Sequence, residues 1–366
     1  MATRAVKRVV LTGANQPLEL WERPVPAPDP GGVIVRVSIA GVCGTDVHLW
    51  RGDLPLPNPI VLGHEGIGTI EELGSKAITD YAGVPIRLGD RVYWQPVRQC
   101  HHCYYCTVAK DFSLCDNAME GLFRHANEPP SGCYAEYSWL PEGMAFYRIP
   151  DDTPSEAIIA FGCAMPTILQ GIERLGGIAL NQAVVVQGCG PVGLAATFLA
   201  RLSGAREVIV IGAPPARLEM ARRLGATTTI DLTKTSEADR LEQIRDLTDG
   251  HGPEVVIEAA GHLSAFPEGV KLVAKNGRYL VVGLWSAPGT VPFEPRYINN
   301  NNIRIVGTAL GQPSHLYGAI QVARAHHRDF PLAEAVTHRY GLGEAQKALD
   351  SVARLETIKA VIIPSS

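Results

Sequence analysis

The sequence predicts an α/β protein in which a doubly wound parallel sheet is joined to a separate β-rich section. Three observations carry that expectation. At 366 residues the chain is longer than the range over which one hydrophobic core keeps growing, so two domains are expected. From about residue 181, apolar runs alternate with helical segments in the order AVVVQG, EVIVIG, TTTID, EVVIEA and GRYLVVG. Strands alternating with helices make βαβ units and hence a parallel sheet. Before that point the apolar runs are short, β-branched and broken by Gly, Pro and Asp, which reads as irregular β structure.

In chain order, a Pro-rich stretch over 17–32 leads into VIVRVSIAGVCG, a β-branched strand ending at a glycine turn. Further strands are expected at 67–73, 91–94 and 134–140. In the alternating section the helices are expected from Pro191, from Pro215, near Asp239 and near Ser264. After Gly307 a helical pattern returns over 314–327, and KAVIIP forms a closing strand. The asparagine run 299–302 reads as a polar turn. No internal repeat or low-complexity tract interrupts this order.

Hydrophobic residues make up 46% of the chain and charged ones 19%, a globular composition that excludes disorder. With a net charge of −4 and no run of Lys or Arg, a nucleic-acid or anionic-membrane partner has no electrostatic footprint. No window approaches the roughly 18 apolar residues of a membrane span. The opening MATRAVKRVVLTGANQ is interrupted by Gly13, Asn15 and Gln16 and does not read as a secretion signal, so a cytoplasmic location is expected. Eight cysteines in a reducing compartment point to metal binding or catalysis and away from disulfides.

The strand AVVVQ is followed by GCGPVG, in which Gly188, Gly190 and Gly193 form G-x-G-x-x-G with Pro191 and Val192 opening a helix. Glycines there allow a tight turn and close approach of backbone to a pyrophosphate, which the helix N-terminus favours. A nicotinamide dinucleotide is therefore expected. An acid about 20 residues on would grip the ribose of NAD, but this sequence has Gly212. Its absence removes repulsion of a 2′-phosphate, while Ala213 and Pro214 offer no cation; Arg217 either reaches that region or stays solvated. On balance NAD is expected ahead of NADP.

Cys100, Cys103, Cys106 and Cys115 have the spacing of a closed tetrahedral Cys₄ zinc with a structural role. His101 and His102 compete as ligands in principle but read as surface loop residues. Three separated pieces suit a second zinc: Cys43 in GVCGTDVH, His64 followed by Glu65 in GHE, and Cys163 in FGCAMPT. A catalytic zinc keeps three protein ligands and one open position, and Cys₂His is one such set.

In their order, these pieces and the glycine loop resemble the zinc-containing alcohol dehydrogenases of the medium-chain dehydrogenase/reductase superfamily, over nearly the whole chain. The resemblance implies a GroES-like catalytic domain over 1–165 with a structural-zinc lobe at about 98–118, a Rossmann cofactor domain over 166–304, and a return to the catalytic domain over 305–366. It makes Cys43, His64 and Cys163 catalytic-zinc ligands, Glu65 a carboxylate that approaches the metal during ligand exchange, and Asp46 the acid that orients the ligand histidine. Thr45 and His48 become a proton relay, a histidine suiting the step to water. Lys359 falls where the family often places a cation for cofactor phosphate, the alternative being a plain surface lysine.

Three departures from the family stand out. Cys106 and Cys115 have eight residues between them where seven are usual, so the lobe is expected to carry a one-residue bulge. Cys133 and Cys189 have no metal partner in sequence and read as packing residues, and Gly212 leaves the cofactor choice open. Trp50, Trp94, Met165, Leu284 and Trp285 fall on segments that by resemblance approach the substrate, which leans toward a bulky or cyclic secondary alcohol of the hydroxycamphor type. The alternatives are a polyol or sugar dehydrogenase on the same scaffold and a non-catalytic zinc- and nucleotide-binding protein. The family forms homodimers and homotetramers, and an exposed edge strand near Pro292 would serve such an interface.

Overall fold

A computed structural model describes residues 4–56, 59–286 and 289–365. The chain divides into two compact units. One comprises residues 1–163, 312–328 and 332–366, and the other residues 164–311 and 329–331.

The second unit is built on a six-stranded parallel sheet. Strand Ala183–Gln187 is central, with Glu207–Gly212 and then Thr228–Asp231 on one side and Val255–Glu258, Arg278–Val281 and Arg304–Gly307 on the other. The order doubles back around the first strand, and its carboxyl end is where open α/β sheets bind nucleotides. The three central strands, Ala183–Gln187, Glu207–Gly212 and Val255–Glu258, are near-continuous Val and Ile runs, as strands buried on both faces are, and Val185, Ile209, Ile211, Val256 and Tyr279 belong to the buried core. The sequence boundary at 304 falls short: Arg304–Gly307 pairs in parallel with Arg278–Val281, which carries the sheet unit on to Gly311.

In the first unit, the long strand Val33–Val42 organises everything near the predicted metal ligands. It pairs antiparallel with Gly66–Leu73, Ala40 opposite Gly66, so the residue after Val42 and the two before Gly66 are brought together. On its other side the C-terminal strand Lys359–Ile363 pairs antiparallel with it, Ala360 opposite Val42. Arg91–Trp94 extends the sheet beyond Gly66–Leu73, Tyr93 opposite Ile67. Helix Gly44–Arg51 starts immediately after the long strand, with Cys43 as N-cap and Asp46 as the acid of the first turn. A carboxylate there meets the unpaired N–H groups and the positive end of the helix.

Two sequence expectations fail in the irregular segments. Pro292 lies outside any strand; Pro292 and Pro295 lack the N–H groups a ladder needs, and the edge strands of the parallel sheet are Thr228–Asp231 and Arg304–Gly307. Of the asparagine run, Asn299 and Asn300 end a short helix, Arg296–Asn300, and the turn follows them. Among the described residues, no helix is long and apolar enough to cross a membrane.

Two candidate metal centres and a glycine loop

The register of three strands and one loop assembles the larger site. Cys43, His64, Glu65 and Cys163 bring ligand atoms within 4.8 Å of one another, and the Cys43 and Cys163 sulfurs are 3.5 Å apart. Zn–S bonds of about 2.3 Å in a tetrahedron place two sulfurs about 3.8 Å apart, so this pair has the spacing of two thiolates on one zinc. The hydrogen bond from Cys163 leads in holding the Cys43 thiol well below its ordinary range, and the same contact, with burial, raises Cys163.

His64 is 8% exposed, and its Nδ1 faces Asp46 Oδ1 at 3.2 Å. That contact leaves Nε2 for a metal and fixes the ring's tautomer. Burial opposes a charged imidazole, but Asp46 and Cys43 outweigh it and raise the His64 pKa well above the ordinary value. Asp46 is fully buried; its Oδ2 also accepts the backbone N–H of Cys43 at 2.9 Å.

Cys163 is held by its surroundings. Tyr93 donates its hydroxyl to the Gly162 carbonyl at 2.9 Å, and the Cys163 N–H donates to Glu65 Oε1 at 2.9 Å. Gly162 has φ of +43°, and a Cβ there would lie 2.1 Å from Glu65 Cδ. Only glycine lets the Cys163 segment come this close to the carboxylate.

The structure corrects the expectation for Lys359. Its side chain is 1% exposed and its Nζ meets the equally buried Glu65 Oε2 at 2.5 Å. It is therefore neither a surface lysine nor a cation free for a cofactor phosphate: pairing Lys359–Ile363 with the strand that ends at Val42 carries it into the metal site. Burial works against the ammonium, and Glu65, Cys43 and Cys163 outweigh it and raise its pKa.

Thr45 and His48 lie on the helix that follows Cys43. Thr45 Oγ1 is 3.7 Å from Cys43 Sγ. His48 Nδ1 is 2.8 Å from Asp53 Oδ2, with about a third of the imidazole exposed. Of the residues expected to line a substrate pocket, Trp94 is a core residue instead, fully buried against Gly66 with its indole N–H donated to the Ser131 carbonyl at 3.2 Å. Met165 is buried, Leu284 is half-buried, and Trp50 donates its indole N–H to the Gln16 carbonyl at 2.8 Å. The side chain of Trp285 lies outside the described residues.

The second cluster, Cys100, Cys103, Cys106 and Cys115, also converges within 4.8 Å. Its extra residue is absorbed by a π-helical turn, Tyr105–Ala109, the usual way an α-turn accepts an insertion. His101 is not among the converging groups; its Nε2 lies 3.2 Å from the Tyr81 hydroxyl. Nor is His102, whose Nδ1 faces the Cys100 carbonyl at 2.7 Å. We expect Cys103→Ser to lower the zinc content by one ion per subunit and to lower the melting temperature while the site at Cys43, His64 and Cys163 keeps its metal; metal analysis beside a thermal melt checks both. Cys133 and Cys189 are buried, 0% and 3% exposed.

In the sheet unit the loop after Ala183–Gln187 fits a dinucleotide. Gly188 has φ of +107° and runs against Ala259 and Ala260, and a Cβ on Gly193 would lie 2.0 Å from the Gly188 carbonyl oxygen. At Gly190, N-cap of helix Pro191–Leu202, the space is open, with Arg217 Nη1 at 4.0 Å the nearest atom. That opening, at the helix N-terminus, is what a pyrophosphate needs. Arg217 is 8% exposed, so it lies at the loop and is not solvated. Where an acid would stand at position 212, a Cβ would lie 2.3 Å from the Cys189 sulfur.

Comparison with known proteins agrees with this geometry. Residues 29–151 match the alcohol dehydrogenase GroES-like domain and residues 191–325 the zinc-binding dehydrogenase domain. The chain is 49% identical over 346 residues to 5-exo-hydroxycamphor dehydrogenase of Pseudomonas putida, covering 94% of this chain and 95% of that one. It is 31% identical over 357 residues to erythritol/L-threitol dehydrogenase of Mycolicibacterium smegmatis, covering 94% of each. An alcohol dehydrogenase of Thermotoga maritima superposes with a TM-score of 0.92 at 32% identity, covering 99% of this chain and 100% of the other.

A GroES-like unit with two zinc sites and a nucleotide-binding Rossmann sheet define a metal-dependent oxidoreductase. The chain belongs to the zinc-containing alcohol dehydrogenases of the medium-chain dehydrogenase/reductase superfamily. It is a zinc-dependent enzyme that oxidises an alcohol with NAD(P).

Proposed function

We propose that the alcohol is a bulky, cyclic secondary alcohol, oxidised to its ketone with NAD. The observation that carries the substrate class is the 49% identity with 5-exo-hydroxycamphor dehydrogenase, sustained over 95% of that protein. The test is a panel in which bicyclic terpene alcohols are set against erythritol and sorbitol, each with NAD and with NADP. Higher kcat/KM for the cyclic alcohols supports the reading, and higher values for the polyols replace it with the polyol alternative. For NAD, the support is Asp231, which stands opposite Gly212 on the neighbouring strand. Hydrogen bonds from Thr233 lead in holding its carboxyl below the ordinary range, so an ionised acid stands near the ribose end in place of one at 212.

Zinc, when bound by Cys43, His64 and Cys163, supplies a Lewis acid that lowers the pKa of the substrate hydroxyl, and the dinucleotide supplies the hydride acceptor. The remaining work belongs to the chain. Thr45 Oγ1 accepts the hydroxyl proton as it passes its own proton on toward His48, which, about a third exposed and beside Asp53, takes up that proton and releases one to water. Glu65 holds Cys163 in place by accepting its N–H and, with its other oxygen on Lys359, would have to give up one of these partners to approach the metal during ligand exchange. Gly188, Gly190, Pro191, Val192 and Gly193 seat the pyrophosphate, with Arg217 alongside. His48→Ala is expected to slow oxidation by about a hundredfold, within the range of a lost acid–base group, without loss of zinc. An unchanged rate and pH profile would remove His48 from the relay.

The assembly we propose is a cytoplasmic homodimer or homotetramer. The edge strand Arg304–Gly307 carries unpaired backbone groups suited to a second copy. Thiolate zinc sites and free cysteines throughout suit a reducing compartment.

A further inference from the structure

We propose that Tyr134 is a positioning residue for the catalytic zinc, acting through Asp46 on His64. The Asp46 carboxylate has no exposed surface and takes three donors. Two belong to the ligand residues: the Cys43 N–H at 2.9 Å on Oδ2 and His64 Nδ1 at 3.2 Å from Oδ1. The third is the hydroxyl of Tyr134, which donates to Oδ2 at 2.9 Å from outside the ligand set.

The backbone of Tyr134 is fixed to the same segment that carries His64. Its N–H donates to the Leu62 carbonyl at 2.9 Å, and the Cys133 N–H donates to that of Gly63 at 3.0 Å. Tyr134 is itself fully buried. His64 is thus bracketed: one end of Tyr134 grips the chain just before it, and the other grips the carboxylate that aims its ring. A buried carboxylate that loses a donor has no water to replace it. Without the hydroxyl, Asp46 turns to satisfy Oδ2 and weakens the longer of its contacts, the one to His64. Groups at this remove from a metal change its affinity by factors of ten to a hundred.

The role rests on Cys43, His64 and Cys163 being the ligands, and the two readings fail differently. If the ligand assignment is wrong, His64→Ala keeps both zinc ions. If it is right, the test of Tyr134 is Tyr134→Phe, which retains the ring packed against Gly63. Zinc release to EDTA is followed for both sites, with the Cys₄ zinc as the internal control for folding. We expect release from the catalytic site about tenfold faster, unchanged release from the Cys₄ site, and a shifted thiolate-to-metal band in the cobalt-substituted enzyme. In Asp46→Asn/Tyr134→Phe, release is no faster than in Asp46→Asn alone, because the hydroxyl acts through that carboxylate. Tyr134→Met gives the same readout should the phenylalanine variant not fold. Unchanged release, or a double variant in which the two effects multiply, overturns the proposal.

Discussion

His64→Ala is expected to lower kcat/KM by at least about a thousandfold and to leave one zinc per subunit where the unaltered enzyme holds two. The direction follows from the donor set. Cys43, His64 and Cys163 share the cluster with Glu65, but both Glu65 oxygens are engaged, one by Lys359 and one by the Cys163 N–H. Removing the imidazole leaves two thiolates and no neutral donor. The rate loss follows from what the metal contributes. Lewis-acid stabilisation is worth several kcal/mol, and each 1.36 kcal/mol is tenfold in rate. Cys43→Ser should behave alike, since a hydroxyl is a far poorer zinc ligand than a thiolate. The fold should survive in both, because the strands that position these residues pair through backbone hydrogen bonds. Metal analysis, circular dichroism and steady-state kinetics on each variant check all three statements. Two zinc ions and full activity in either would dissolve the ligand assignment.

The βαβ section was legible because its signals are local. A buried parallel strand is a run of Val and Ile, and a phosphate loop is a glycine triplet between strand and helix, so periodicity and spacing are enough. The Cys₄ lobe was legible for the same reason, its ligands lying within sixteen residues of one another. The boundary at 304 missed because Arg304–Gly307 is a short strand of mixed polarity at the sheet's edge, where one face is less buried and the apolar pattern fades.

What escaped is the part of the metal site made by long-range register. That Lys359 lies beside Glu65, 294 positions away, depends on a C-terminal strand choosing the strand that ends at Val42 as its neighbour, and no local pattern carries that choice. Tyr93 and Tyr134 escaped for a related reason: as sequence they are aromatic residues in β-rich segments, and their hydroxyls acquire meaning only from Gly162 and Asp46, far away in the chain. Trp94 misled in the opposite sense, its segment passing near the site while its ring fills the core against Gly66.

The Lys359–Glu65 pair sets the second large effect, one of stability. Lys359→Met should destabilise the zinc-loaded protein by ~3–5 kcal/mol, the cost of stranding a buried charge, seen as a lower denaturant midpoint and a melting temperature reduced by roughly 10 °C. Both partners are 1% exposed, so Glu65 would have neither a cation nor water on Oε2. Replacing both, as Glu65→Gln/Lys359→Met, should recover most of that loss, because an apolar and neutral pair of similar volume carries no uncompensated charge. The comparison also separates this role from the phosphate role that resemblance implied. A lysine that served the cofactor would, on replacement, raise KM for NAD and barely move the midpoint. A buried partner of Glu65 moves the midpoint first. If Lys359→Met unfolds at the concentration of denaturant that unfolds the parent, the ion pair is not desolvated in solution, and Lys359 returns to the cofactor.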